Sequence, residues 1–224
     1  MTIFVKSVHA NNLFNIYDIS VEFTNDVSIF IGPNGCGKST MLKLIDDTVT
    51  GIKCNIPATD VKVVLASGEE LTPDTCREVV PVYQMSMIPN LSTCLKGVEY
   101  NADQICMFRS IVDKAFDITK KKIMPKDQGF VITQKDKEMN YGLLSVNEQY
   151  FVSLFFNLIF KAKNCLVLID DLGRGLHIEL QEHLIDNIEE IARLNELQVI
   201  TVTHSPNVIN DHIDLLAKTT VKPL

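Results

Sequence analysis

The chain of 224 residues carries 21 lysines and arginines against 28 aspartates and glutamates, a net charge of −7, with 46% hydrophobic residues. That length buries a sizeable core without staples, as one large domain or as a core with a subdomain. Residues 164–224 hold ten acids and four bases, a balance of −6, so the first 163 are near neutral at −1. A globally basic nucleic-acid binder is thereby excluded, while a local basic surface is not.

The six cysteines (36, 54, 76, 94, 106 and 165) contain no Cys-x-x-Cys pair. Reduced thiols in a cytoplasmic protein are expected rather than a disulfide frame or a zinc site. The first residues lack a basic region followed by a long apolar core, so no signal peptide is expected. The longest apolar stretch, Tyr150–Phe160, is broken by Ser153 and Asn157. It falls short of the ~20 residues that a spanning helix needs, so a soluble protein is expected.

In chain order, residues 2–9 and 14–23 read as two β-strands, with Asn11-Asn12 as the turn and a bulge near Tyr17-Asp18 absorbing a shift of phase. Val27–Ile31 is a short apolar run leading through a Gly-rich turn into a helix from about Gly37 to Asp47. Further buried strands are expected at Val61–Ala66, Cys165–Ile169 and Val199–Val202. Val79–Tyr83 suits an edge, because Pro81 cannot donate to a ladder. Helices are expected over Asp103–Thr119, Ser145–Lys163 and Ile178–Leu194. This alternation predicts an α/β fold: a mostly parallel sheet covered by helices, with antiparallel strands at the N-terminus. Residues 85–143 are broken by Pro89, Pro125 and Gly129, and a partly helical subdomain is expected there.

Gly32-Pro33-Asn34-Gly35-Cys36-Gly37-Lys38-Ser39 fits Gly-x4-Gly-Lys-[Ser/Thr] and lies between an apolar strand and a helix, the context that the motif requires. Glycines let the backbone curl so that N–H groups from Asn34 to Thr40 point at phosphate oxygens, aided by the positive end of the helix. Lys38 would contact the β- and γ-phosphates of ATP, and Ser39 would give its hydroxyl to Mg²⁺. Cys36 reads as a small side chain that fits the loop rather than as a redox switch. Further on, Asp170-Asp171 ends the apolar run Cys165–Ile169. The first acid suits orientation of Mg²⁺, and the second suits positioning or deprotonation of the attacking water. Both roles need the chain to turn at Asp171.

At this point the chain resembles the ABC-type ATPases. Leu144-Ser145-Val146-Asn147-Glu148-Gln149 is similar to their signature, Tyr83-Gln84 to their Q-loop, and Thr203-His204-Ser205 to their switch histidine, all in the family's order. Gly175-Leu176-His177 and Thr203-His204-Ser205-Pro206 resemble the RecF, SMC and OLD branch and the ATPase subunits of antiphage systems more than transport ATPases. The resemblance implies one P-loop NTPase domain over 1–224, with 1–84 and 144–224 as the nucleotide-binding core. It implies head-to-tail dimers around two ATP molecules, with Ser145 gripping the partner's γ-phosphate in trans. Gln84 would sense Mg²⁺ and the water, beside Ser39 and Asp170 as metal residues, and His204 would hold the γ-phosphate.

Two departures stand out. Val146-Asn147 replace two glycines, and Asp171 replaces a glutamate, retracting the carboxylate by about 1.5 Å. A displacement of that order slows a positioned base by about 10²-fold, so slow hydrolysis and a long-lived ATP-bound dimer are expected. Three functions stay open: an ATP-gated clamp working with DNA or a nuclease-type effector in repair or antiphage defence, the ATPase subunit of a membrane transporter, or a module that holds ATP without turnover. The first is favoured. Elsewhere, His177 and His183 are six apart and make no helical metal pair. The lysines at 114, 120, 121, 122, 126, 135 and 137 read as a solvated loop before a phosphate-backbone footprint. Glu179, Glu182, Asp186, Glu189 and Glu190 read as a solvated helix face.

Overall fold

The computed structural model describes residues 3–53 and 56–223; Cys54 lies outside them. The chain opens with β1 (Val5–Leu13), β2 (Tyr17–Glu22), β3 (Val27–Phe30), α1 (Lys38–Thr50), β4 (Thr59–Leu65), β5 (Glu70–Leu71) and β6 (Val82–Tyr83). It continues with α2 (Ala102–Ala115), β7 (Lys121–Lys126), β8 (Gly129–Gln134), β9 (Lys137–Met139) and α3 (Val146–Phe156). Last come β10 (Leu166–Ile169), α4 (Ile178–Glu182), α5 (Leu184–Asn195), β11 (Gln198–Val202), α6 (Pro206–Ile209) and β12 (Lys218–Pro223). Two compact units result: Met1–Gln84 with Lys163–Arg174 and Ile188–Leu224, and Met85–Ala162 with Gly175–Asn187. Among the described residues, no helix is long and apolar enough to cross a membrane.

The first unit contains two sheets. One is parallel throughout, in the order β3-β11-β10-β6. The other is antiparallel, in the order β12-β2-β1-β4-β5. Helix α1 touches β4 of one sheet and β11 and β6 of the other, which is why Met41, Leu42, Leu44, Ile45 and Val49 are all buried. The buried Gln198 side chain stitches β11 to β1, accepting from the N–H groups of Phe4 and Val5 (both 2.8 Å) and donating to the Val5 carbonyl (2.7 Å). Each of its polar atoms is thus satisfied, as burial demands.

The parallel strands and the edge position of β6, just past Pro81, agree with the sequence reading. Several details differ from it. The β1–β2 turn lies at Phe14–Ile16, not at Asn11-Asn12, because Leu13 is fully buried and keeps β1 extended past the asparagines. The register shift falls between Ala10 and Leu13, so the bulge is on β1 rather than at Tyr17-Asp18. Val61–Ala66 belongs to the antiparallel sheet, and β12, unread in the sequence, forms that sheet's far edge.

The second unit holds a three-stranded antiparallel meander, β7-β8-β9, that a partly helical reading of 85–143 did not contain. Its turns are two residues long, with Asp127, Lys135 and Asp136 at φ of 52°, 52° and 59°. They lack the Asn-Gly or Asp-Gly pairs that usually announce such turns. Pro125 is tolerated because β7 pairs with β8 alone. The lysines read as a solvated loop are exposed except Lys121, but they stand on α2, on the meander and at its turns rather than in a loop; Lys121 pairs with Glu148, and the exposed Lys126 with Glu138. A cluster of Phe108, Phe130, Phe156 and Phe160 forms the unit's aromatic core, with ring centroids 4.8–6.0 Å apart.

The helix expected over Ser145–Lys163 ends as α3 at Phe156 and continues as one π turn over Asn157–Lys161. The buried Asn157 amide donates to the Ser153 carbonyl (2.6 Å) and to the Ser86 carbonyl (2.7 Å), inserting into the helical ladder. The helix expected over Ile178–Leu194 is divided at His183 into α4 and α5. Along α5, Leu184, Ile185, Ile188, Ile191 and Ala192 form the buried face, with Asp186 and Glu190 exposed. The side chains of Glu179 and Glu182 lie outside those described.

Candidate nucleotide-binding site

Parallel pairing sends the carboxyl ends of β3, β11, β10 and β6 to one edge of the first unit's sheet. In spatial order those ends lead into Gly32–Ser39, Thr203-His204, Asp170-Asp171 and Gln84. Four segments scattered over some 170 residues of sequence thereby line a single rim, where parallel sheets place their ligands. With neighbouring strands about 4.8 Å apart, His204 stands between the phosphate loop and the two acids, and Gln84 follows beyond them.

The loop Gly32–Gly37 curls onto the start of α1. Gly37 has φ +96°, and a Cβ there would stand 2.7 Å from the Leu13 side chain, so glycine is required on both counts. Cys36 is buried, with its Sγ against the Gly32 backbone, which agrees with a small side chain filling space. Lys38 is 4% exposed, and its Nζ donates to the carbonyls of Gly32 and Pro33, both at 2.9 Å. The ammonium is therefore held inside the loop by two backbone carbonyls. Asn34, Gly35 and Ser39 are exposed, while Thr40 is half-buried.

Asp170 is exposed just past β10. Asp171 takes φ +59°, so the chain does turn there, and its carboxylate accepts from Arg174 Nη1 at 2.9 Å. The turn is tied to β11: Leu172 N–H donates to the Val202 carbonyl (2.8 Å), and the buried Thr203 hydroxyl donates to the Leu172 carbonyl (2.7 Å). Asp171 and His204 therefore sit on two cross-linked turns. Gln84 is differently held. Its amide donates to both carboxylate oxygens of Asp46 at 3.2 Å, and Asp46 lies two turns, about 10 Å, along α1 from Ser39.

Ser145 belongs to the second unit, where it caps α3. Its hydroxyl accepts from Glu148 N–H (3.3 Å) and donates to Glu148 Oε2 (3.0 Å), while its own N–H donates to the same oxygen (2.9 Å). Lys121 Nζ donates to Glu148 Oε1 at 2.6 Å. Burial alone would raise the Glu148 carboxyl, but the hydrogen bonds from Lys121 and Ser145 outweigh it and hold it below the usual range. Asn147 donates from Nδ2 to the Gly175 carbonyl at 2.6 Å. Elsewhere in this unit, burial pushes the Cys94 thiol up to about 12, leaving it a structural, protonated group.

The pairings of Asp46, Arg174 and Lys121 escaped the sequence reading. Arg174 could have been found from its i+3 spacing to Asp171; the other two pairings cross 27 residues or more and leave no local signal.

The family model described as the AAA ATPase domain matches residues 86–209, which take in Ser145, Asp170, Asp171 and His204. No curated protein matches the chain in sequence. Among solved structures, an SMC head bound to the C-terminal winged-helix domain of ScpA is similar at TM-score 0.60 and 14% identity, over 99% of this chain and 98% of that one. The SMC head domain from Thermotoga maritima is similar at TM-score 0.54 and 15% identity, over 99% of each chain. A dimeric bacterial ABC transporter cassette is similar at TM-score 0.53 and 17% identity, over 97% of this chain and 98% of that one. The fold is thus that of ABC-type P-loop ATPase heads, and the chain belongs to the AAA ATPase domain family.

Proposed function

We propose that this protein is a slow ATPase, converting ATP and water to ADP and phosphate, that closes head-to-tail on a second copy of itself when ATP is bound. The observation that carries this reading is the shared rim of the parallel sheet, which gathers the phosphate loop, Asp170-Asp171 and His204. The loop N–H groups from Asn34 to Thr40 and Lys38 bind the phosphates, with Gly35, Cys36 and Gly37 shaping the approach. Ser39 and Asp170 are exposed and carry hard oxygen donors that would hold Mg²⁺, and Gln84 would be available to it once released from Asp46. Mg²⁺, when bound, neutralises charge on the phosphate oxygens. Asp171, once Arg174 lets go, positions the water and takes its proton, while His204 holds the γ-phosphate. Ser145, aimed by the N-terminal end of α3, completes the partner copy's site.

On this reading residues 1–224 act as one ATP-gated head whose closure controls an effector, a nuclease-type protein or DNA in repair or antiphage defence. The Gly175-Leu176-His177 and Thr203-His204-Ser205-Pro206 text supports that branch over a transporter subunit. The test is affinity capture of Asp171→Asn in ATP. This variant should turn over ATP about 10²- to 10⁴-fold more slowly while accumulating dimers, and should retain the effector. Lys38→Ala should lose both. Equal recovery of the effector by Lys38→Ala would overturn gating, and recovery of an apolar membrane subunit would overturn the branch.

A further inference from the structure

We infer that Asn147 is a positioning residue: through its carboxamide it locks the first turn of α3, and with it Ser145, to the loop at Gly175. The inference rests on the proposed reading of Ser145 as a group acting on the partner copy's nucleotide. Family resemblance puts a glycine at 147, where close backbone approach is needed. Here the side chain instead reaches 28 residues along the chain and donates to the Gly175 carbonyl at 2.6 Å. The fit is mutual. Gly175 has φ +72°, and a Cβ on it would stand 2.9 Å from Asn147 Oδ1 and 3.0 Å from Nδ2, so the carboxamide occupies the space that the missing side chain leaves.

Both residues are exposed, so water would satisfy the same carbonyl if Asn147 were absent. The bond is therefore not a requirement of the core, and its contribution is geometric. The next residue of the loop is held as well: Leu176 is buried, and its carbonyl accepts from Gln181 Nε2 at 2.9 Å. Ser145 is fixed by Glu148, and Glu148 by Lys121. Serine, helix start and loop thus form one braced body, which replaces the adaptability of two glycines with a preset arrangement.

The test compares Asn147→Ala and Asn147→Asp with the wild type. Aspartate keeps the shape but replaces the donor with a carboxylate that repels the Gly175 carbonyl, so it should lose at least as much as alanine. Turnover and ATP-dependent dimerisation, read by steady-state assay and sedimentation, should each fall about tenfold in Asn147→Ala and at least as far in Asn147→Asp, with ATP affinity of the monomer and thermal midpoint of Asn147→Ala unchanged. Asn147→Gln, with a longer carboxamide, should recover part of the loss. Wild-type turnover and dimerisation in both Asn147→Ala and Asn147→Asp would overturn the inference. Ser145→Ala separates it from its premise: if that variant still dimerises and turns over normally, the trans role itself is wrong. If Ser145→Ala fails while the Asn147 variants do not, the brace alone is wrong.

Discussion

The phosphate loop of the first unit and the capped turn of the second, the two anion-contacting segments of the proposed function, are ordered by opposite means. In the loop, backbone N–H groups are the recognition elements, and glycine is required where φ reaches +96° and a Cβ would strike Leu13. Around Ser145, side chains set the geometry: Glu148 holds the serine, Lys121 holds Glu148, and Asn147 holds Gly175. A backbone site tolerates little substitution because its donors are the chain itself. A side-chain site can exchange glycine for asparagine and retain order through a new hydrogen bond. On the proposed reading, this accounts for a phosphate loop whose motif is intact and a signature segment in which Val146-Asn147 replace two glycines.

Three perturbations test that contrast, beginning with the largest. Lys38→Ala removes the buried ammonium from the loop and should weaken ATP binding by about 10²- to 10³-fold, read by titration with a fluorescent ATP analogue. A change of a few-fold would show that the backbone donors suffice without it.

Glu148→Gln addresses the side-chain site. It should cost about 1 kcal/mol at neutral pH, from a weakened capping box and a lost ion pair, read by urea unfolding. The folded-state carboxyl lies below its ordinary value of 4.5. Its contribution is therefore fully present above that value and is lost as the pH falls through the lower folded-state value. The stability gap between wild type and Glu148→Gln should accordingly narrow under acid and nowhere else. A gap that stays constant from neutral pH into strong acid would show that the charge on Glu148 is irrelevant to the cap.

The smallest effect is expected from Asp46→Ala. This frees the Gln84 amide from α1, and should raise turnover about two- to fourfold, the value of one modest hydrogen bond. Unchanged turnover would mean that Gln84 leaves Asp46 without cost whenever nucleotide binds.

Legibility followed the range of the interactions. The loop could be read because Gly32 to Ser39 are contiguous and their partners are their own neighbours: Lys38 bonds Gly32 and Pro33. The acids could be read because an apolar strand ends on them. The β7–β9 meander could have been found from the β-branched and aromatic run Phe130–Thr133, bounded by Asp127-Gln128-Gly129 and Lys135-Asp136. Its positive-φ turns without Asn-Gly concealed it. The division of the long helices at Asn157 and His183 was not legible either, since helical periodicity continues across both. At Asn157 it takes the contact with Ser86, 71 residues away, to reveal why the ladder is interrupted.

What local text carries, then, is the chemistry of each segment: a phosphate loop, a pair of acids, a histidine after a strand, a serine capping a helix. The order β3-β11-β10-β6 belongs to no segment. It arises because buried parallel strands pair by matching apolar faces across the core, and α1 offers both sheets a surface to close upon. That pairing turns four distant motifs into neighbours, and it holds Gln84 against Asp46 at a distance from Ser39 that no spacing in the sequence could announce.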